Sequence, residues 1–173
     1  SVFSDSENLY AGWGDSDGSS FGGVEVYYQN NLSFRKNLTH AGTTIFSVYA
    51  DSDYIYTGGL DEIVQVHYKS NLSWKQNLTE AEDKISSVYA DSDYIYAAYS
   101  GSSGVYGVNI YYKSNLSFKQ NLTQGEGWIS AVYADSDYVY VGGADDKLQV
   151  YYRDNLSFKQ NLIALSPRAG LSS

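Results

Sequence analysis

Paired aspartates recur along the sequence and could bind a hard cation. The triplet Asp-Ser-Asp occurs at 51–53, 91–93 and 135–137, each time between two runs of β-branched and aromatic residues. Ca²⁺ takes about six to eight oxygen ligands, so a calcium site is one interpretation. Asp and Ser also adopt turn dihedrals and hydrogen-bond their own backbone, and duplication of a structural turn gives near-identical copies. We therefore predict hairpin turns at these triplets and no metal site.

A further acidic segment, Asp15-Ser16-Asp17-Gly18, begins like a calcium-binding loop. An EF-hand requires Glu at the twelfth position of the loop, and counting from Asp15 places Val26 there. An EF-hand is therefore not expected.

The sequence contains no recognisable catalytic motif. His40 and His67 occupy unrelated positions in the repeat described below, and no nucleophile-elbow, metalloprotease or phosphate-loop motif occurs. The chain also lacks cysteine, which excludes thiolate metal ligands and disulfides. We expect no catalytic residues, no cofactor and no enzymatic activity.

Composition excludes two classes of partner. The 11 Lys and Arg residues are outnumbered by 20 Asp and Glu, which gives a net charge of −9 and disfavours binding to nucleic acid. No run of about 18 apolar residues could span a bilayer.

The 173 residues are 43% apolar, which is enough to bury a core.

Four repeats position these residues. The copies begin near Val2, Val48, Val88 and Val132, with spacings of 46, 40 and 44 residues. In each copy the Asp-Ser-Asp turn, or its variant in the first copy, joins two short β-rich runs. A third run with alternating valines follows, then a turn and a fourth run such as Phe118–Leu122. This pattern predicts an all-β chain of four four-stranded units.

The repeat "I-S-x-V-Y-A-D-S-D-Y-I-Y-x-G-G … V-x-V-Y-Y-x-x-N-L-S-F-K" resembles the blade repeat of quinoprotein-like (pyrroloquinoline-quinone-type) and Trp-Asp-type β-propellers. The resemblance covers all four copies and implies one four-stranded blade per copy. A quinone pocket would require convergent acidic and amide ligands together with stacking groups, and no unrepeated set of such residues is present. An enzyme fragment of quinoprotein descent is therefore the outside alternative.

The predicted propeller occupies residues 1–163, and residues 164–173 form a divergent tail. The first copy begins on its first strand and the last copy ends on its fourth, so neither end of the chain completes the blade at the other. Three arrangements remain open: a closed four-blade ring, half of an eight-blade ring made by two chains, and an open segment completed by neighbouring molecules. We expect self-association through the terminal blades.

Glycosylation sequons are dense. Asn-Leu-Ser or Asn-Leu-Thr places acceptors at Asn31, Asn37, Asn71, Asn77, Asn115, Asn121 and Asn155. Asn also suits the turn before strand four, so duplication of one turn could explain the series. Used sequons would fit an extracellular or cell-surface protein, as would the absence of an initial Met.

The copies differ in length between strands two and three, where copies one and three carry long Gly- and Ser-rich loops. After duplication the strands of the repeats stay similar, whereas the surface loops can change and acquire binding residues. Candidate ligand-face residues on these loops and on the connections between blades are Trp13, Asp15, Asp17, Phe21, Tyr99, Tyr106 and Trp128. Aromatics beside carboxylates suit sugars or a protein partner, although these side chains could instead cover the central channel.

Taken together, the sequence predicts a non-catalytic extracellular or cell-surface β-propeller. Its expected role is that of a structural, assembly or interaction module, with a homo-oligomer or other surface proteins as partners. The alternative is a lectin-like propeller that binds carbohydrate on the loop face.

Overall fold

The structure is a computed structural model that describes residues 1–15, 21–38, 44–101, 104–122, 127–144 and 146–163. The described residues form sixteen strands in four four-stranded antiparallel sheets, and in each sheet the spatial order of the strands follows the chain. None of the described residues forms a helix that could cross a membrane.

Each sheet corresponds to one sequence repeat. Sheet 1 contains β1 (Val2–Ser4), β2 (Asn8–Gly14), β3 (Gly22–Tyr28) and β4 (Phe34–Leu38). Sheet 2 contains β5 (Ile45–Ala50), β6 (Tyr54–Gly59), β7 (Val64–Tyr68) and β8 (Trp74–Leu78). Sheet 3 contains β9 (Ile85–Ala90), β10 (Tyr94–Ser100), β11 (Tyr106–Tyr112) and β12 (Phe118–Leu122). Sheet 4 contains β13 (Ile129–Ala134), β14 (Tyr138–Gly143), β15 (Lys147–Tyr152) and β16 (Phe158–Ile163).

The hairpins form where the aspartate triplets predicted them. The triplet at 91–93 separates β9 from β10, which pair in register from Ala90 opposite Ile95 onward. The third and fourth strands of every sheet carry a bulge, for example between Val66 and His67 in sheet 2. A bulge inserts one unpaired residue and increases the local twist of the strand, and its recurrence gives the four sheets the same shape.

The sheets pack face to face in chain order, and three apolar clusters fill the spaces between successive sheets. We call the face that a sheet turns to the next sheet its forward face, and the opposite one its backward face. Between sheets 2 and 3, Tyr56, Val66 and Leu78 supply the forward face, and Ile85 and Leu116 supply the backward face. Most of the apolar burial therefore lies between the sheets.

Small residues permit this close packing. A Cβ on Gly58 would lie 2.3 Å from Cγ2 of Ile85 in the next sheet, well inside van der Waals contact. Replacement of Gly58 by a larger residue would push sheets 2 and 3 apart.

The row of sheets does not close on itself. The backward face of sheet 1 and the forward face of sheet 4 are not packed against each other, and both leave apolar side chains exposed. The structure therefore shows an open row of four sheets, which excludes the closed single-chain ring as the arrangement seen here. This open row sets the geometry of the candidate site.

Candidate functional site

The first aspartate of each triplet is a structural cap of its hairpin. Asp91 Oδ1 accepts hydrogen bonds from the backbone amides of Asp93 (2.7 Å) and Tyr94 (2.9 Å), and Oδ2 accepts one from the Tyr96 hydroxyl (2.7 Å). Asp51 and Asp135 make the same three bonds within their own hairpins. These oxygens satisfy the backbone of the turn, as expected for a turn rather than a calcium loop.

In sheet 1, Asp5 caps its hairpin in the same way, accepting from the amides of Glu7 and Asn8 and from the Tyr10 hydroxyl. A cation from the next sheet reaches the caps of sheets 1, 2 and 3. Lys69 Nζ lies 2.9 Å from Asp5 Oδ2, Lys113 Nζ lies 2.8 Å from Asp51 Oδ2, and Arg153 Nε lies 2.8 Å from Asp91 Oδ2. Burial by itself would raise the pKa of the Asp91 carboxyl, but the hydrogen bonds from Arg153, Tyr96 and the backbone hold it below its usual value. The same ion pair therefore joins every pair of successive sheets.

This series is incomplete at the two ends of the row. In the part of the chain that the structure describes, no Lys or Arg forms a salt bridge with Asp135, which caps the last hairpin. In sheet 1, the position held by Lys69, Lys113 and Arg153 in the other sheets is occupied by Gln29. The ends of the row therefore differ chemically from its interior.

The turn between the third and fourth strands holds a leucine in the left-handed region. Leu32, Leu72, Leu116 and Leu156 have φ between 55° and 60°. A residue with a Cβ adopts this conformation at a cost of roughly 1–2 kcal/mol. Three of the four are buried in the clusters between sheets, whereas Leu32 in sheet 1 is 62% exposed. The strained turn thus presents a leucine to the preceding sheet, and sheet 1 has no preceding sheet to receive it.

The forward face of sheet 4 is uncovered in the same way. Leu162 is 44% exposed, whereas its counterparts Leu38, Leu78 and Leu122 are 5%, 2% and 4% exposed. Tyr140 is partly exposed where the equivalent tyrosines of the other sheets are fully buried. A shallow cleft of about 490 Å³ lies on this face, lined by the backbone and side chains of 142–143, 146–148 and 162–163.

The backward face of sheet 1, at the other end of the row, is also uncovered. Val2 is 72% exposed, whereas Val48, Val88 and Val132, at the same position in the other sheets, are 5–6% exposed. Together with Leu32 it leaves an apolar surface uncovered, although Ser4 stands where the other sheets bury an alanine, Ala50, Ala90 or Ala134. These two end faces are the candidate functional site, and the sequence predicted their role from the arrangement of the terminal blades.

An aromatic side chain on the first strand of each sheet forms a ladder along the row. Ring centroids of Phe3 and Tyr49 are 5.0 Å apart, and those of Tyr49–Tyr89 and Tyr89–Tyr133 are each 4.9 Å apart. The interplanar angles of these three pairs, 55°, 50° and 50°, are also similar, so the aromatic contact is nearly the same at each junction. Tyr133 is half exposed at the end of the ladder.

The ligand-face candidates do not gather into one site. Trp13, Phe21 and Trp128 are exposed, as is Asp15, while Asp17 lies outside the described residues. A cleft of about 330 Å³ places Trp128 with Phe46, Lys84 and three serines from sheets 3 and 4, Ser86, Ser100 and Ser130. Phe46 was missed by sequence reasoning because its repeat equivalents are serines. Sugar binding at this cleft stays a prediction.

Among these candidates, the predicted surface position of Tyr99 was wrong. The interpretation of 98–107 as a long loop placed Tyr99 on the surface, but β10 extends to Ser100 and buries Tyr99 to 1% exposure. Its hydroxyl accepts a hydrogen bond from Asn121 Nδ2. Tyr106 begins β11 and is partly buried. Tyr99 therefore belongs to the core rather than to a ligand face.

The sequons fall into two structural classes. Asn31, Asn71, Asn115 and Asn155 are exposed in the turns, each with its Oδ1 bonded to the backbone amide two residues on. Asn37, Asn77 and Asn121 are partly buried in the fourth strands. The turn series is thus better placed for modification than the strand series, and use of either stays a prediction.

The remaining polar candidates do not form a metal or catalytic centre within the described ranges. No group of three His, Asp or Glu side chains there could hold a metal ion. His67 is buried at the position of Tyr111 and Tyr151 on the backward face of its sheet. His40 lies outside the described residues.

Comparisons with known proteins inform the fold. No family model and no curated protein matches the chain. The chain is similar to the crystal structure of the computationally designed Ika8 protein, with a TM-score of 0.76 and 14% sequence identity over 93% of this chain. It spans about half, 48%, of that designed chain. At this identity the similarity concerns the fold alone.

Proposed function

We propose that the four sheets are blades of a β-propeller, and that the chain is a non-catalytic assembly module that self-associates head to tail through its two end faces. The observation that carries this proposal is that both end faces expose residues whose counterparts are buried at all three internal junctions, Leu162 and Leu32 above all. Forward and backward faces of this chain already pack against each other at three internal junctions, which supports a fourth contact of the same kind between two molecules.

The energetics favour association. Fully burying a leucine or valine contributes roughly 1.5–3 kcal/mol, and the end faces expose Leu162 on one side and Val2 and Leu32 on the other. Contiguous apolar patches on a protein surface commonly mark interaction sites. The exposed Leu32, held in the left-handed conformation, has a physical reason to exist if a second molecule covers it. The sequons and the extracellular setting remain part of this proposal as a module at a cell surface.

Sedimentation velocity on the 173-residue chain tests the proposal. Leu162→Asp places a charge on the forward face of sheet 4, where burial of an unpaired carboxylate is unfavourable. We expect the wild-type chain to sediment as a multiple of 19.2 kDa at micromolar concentration, and the variant to sediment as a single chain.

Leu60→Asp is the matched control. Leu60 is 40% exposed, close to the 44% of Leu162, but it lies in the turn after β6 and away from both end faces. This control should associate like the wild type. A wild-type chain that remains a 19.2 kDa particle at all concentrations contradicts the proposed function.

A further inference from the structure

We infer that the partner is one second copy of this chain, joined at two identical seams into a closed ring of eight sheets. We further infer that each seam lacks two polar contacts found at every internal junction, so that the ring can open into single chains. This inference rests on the proposed function and specifies its stoichiometry and its strength.

The internal junctions show what a complete contact contains. At the inner strands, the amides of Val48, Val88 and Val132 donate to the hydroxyls of Ser1, Ser47 and Ser87 in the preceding sheet, at 3.0, 2.9 and 3.3 Å. At the hairpins, a Lys or Arg pairs with the capping aspartate of the preceding sheet at 2.8–2.9 Å. Both contacts occur at all three junctions.

At a head-to-tail seam both contacts lose one partner. Ala131 occupies the position of Ser1, Ser47 and Ser87, so it offers no hydroxyl to the amide of Val2 from the second copy. Gln29 occupies the position of the cation and would face Asp135. The backbone there is the same, because the Gln29 amide donates to Glu7 O at 2.9 Å just as the Lys69 amide donates to Asp53 O. The seam therefore keeps apolar contacts but lacks both the serine hydrogen bond and the ion pair.

The repeated contact between successive sheets favours ring closure. The aromatic ladder advances in equal steps, yet its ends remain apart, since Phe3 pairs only with Tyr10 and Tyr49, and Tyr133 only with Tyr89 and Tyr140, in the part of the chain described. A row built by one repeated rotation continues along the same curve when a second copy is added. The designed chain contains this row in just under half of its length, which leaves room for a second row of four sheets.

A two-chain ring also satisfies both end faces. The contact is heterologous, because a forward face meets a backward face, and such contacts either close into a ring or continue as a filament. Closure after two copies leaves no end face uncovered, and rings of four to eight blades are within the known range of propellers. We therefore expect association to stop at two copies.

The substitution Gln29→Lys tests the seam directly, because it supplies the cation that the other three sheets carry. An ion pair of this kind contributes up to about 1 kcal/mol, or about threefold to fivefold in affinity at each seam. Two seams form together, so we expect the dissociation constant of the two-chain ring to fall about tenfold in Gln29→Lys. Gln29→Glu places like charges together and should raise it.

Two further variants isolate the cause. Asp135→Asn keeps the oxygen that caps the hairpin and removes the charge, so in the Gln29→Lys background it should cancel the gain in affinity. Ala131→Ser restores the missing hydroxyl acceptor without changing charge and should tighten the ring as well. Affinities are measured by analytical ultracentrifugation over a dilution series.

The possible outcomes distinguish association, ring closure and the contacts at the seam. A chain that stays single at all concentrations removes both this inference and the proposed function. Particles that keep growing with concentration leave head-to-tail association in place and overturn the ring. A two-chain particle whose dissociation constant is unchanged by both Gln29→Lys and Ala131→Ser overturns the account of the seam.

Discussion

At the residue scale, one carboxylate has two roles at each internal junction. Asp91 caps its own hairpin through Oδ1 and receives Arg153 from the next sheet on Oδ2. The side chains of Asp91 and Arg153 are only 12% and 18% exposed, so solvent screens the pair weakly. Hairpin geometry and sheet stacking are thereby coupled through a single side chain.

The ionisation of Asp91 predicts acid sensitivity. Its pKa is lower in the folded state than its ordinary value of 3.8, so it contributes stability above about pH 4 that is lost as the pH falls through the folded-state pKa. We expect Asp91→Asn to lower the free energy of unfolding at neutral pH by about 1–3 kcal/mol and to flatten its decline below pH 4.

Urea unfolding over a pH series measures this effect. Asp135→Asn is the matched control, since Asp135 makes the same hairpin bonds without the cation and should show a smaller loss of stability. An Asp91→Asn chain with wild-type stability and pH profile would contradict the role given to the ion pair.

At the element scale, the turn between the third and fourth strands combines a backbone cost with a packing gain. Leu116 at φ 60° and Leu32 at φ 55° have the same conformation, but Leu116 is 4% exposed and packs in the cluster between sheets 2 and 3. The turn therefore sets the backbone conformation, and the neighbouring sheet determines how much stability is gained by burying the leucine side chain.

Glycine substitutions separate these two contributions. Glycine removes the steric cost of the left-handed conformation at either position. At Leu116 it also removes a buried side chain, which costs roughly 2–5 kcal/mol, so we expect Leu116→Gly to be clearly destabilised. In single chains Leu32→Gly should be neutral or more stable by up to about 1 kcal/mol.

Chemical unfolding in the Leu162→Asp background keeps both proteins as single chains for this comparison. Equal losses of stability at the two positions would show that the turn, rather than the neighbouring sheet, holds these leucines in place.

At the scale of the whole molecule, the chain is a one-dimensional row. Each sheet packs against its neighbours in the chain, and the two end sheets have one neighbour where the inner two have two. In such a row, stability is approximately a sum of unit and interface contributions, so single chains should be less stable at the ends.

Hydrogen exchange tests this gradient. In single chains of Leu162→Asp, we expect amides in sheets 1 and 4 to exchange at least about tenfold faster than those in sheets 2 and 3, because end sheets open locally at lower cost. In the associated wild-type protein the difference should shrink, since each end sheet gains a neighbour. A uniform exchange rate in the single chains would indicate that the four sheets open only together.

The sequence by itself determined the parts of this protein that depend on local pattern. Runs of β-branched and aromatic residues and the Asp-Ser-Asp turns predicted β6, β9 and the hairpins β5–β6 and β9–β10, because strand and turn preferences act within a few residues. The repeat predicted four similar sheets for the same reason. It also indicated that the terminal sheets were the place to look for an interaction.

The tertiary structure alone decided what depends on neighbouring sheets. The burial of Tyr99, the leucines that reach the preceding sheet and the aspartate–cation pairs all join residues distant in sequence, so no local pattern specifies them. Whether the row closes depends on the angle between packed sheets, which is set by side-chain volumes such as the absent Cβ of Gly58. The open ends, and the contrast between Leu162 and its buried counterparts, are therefore visible only in the assembled fold.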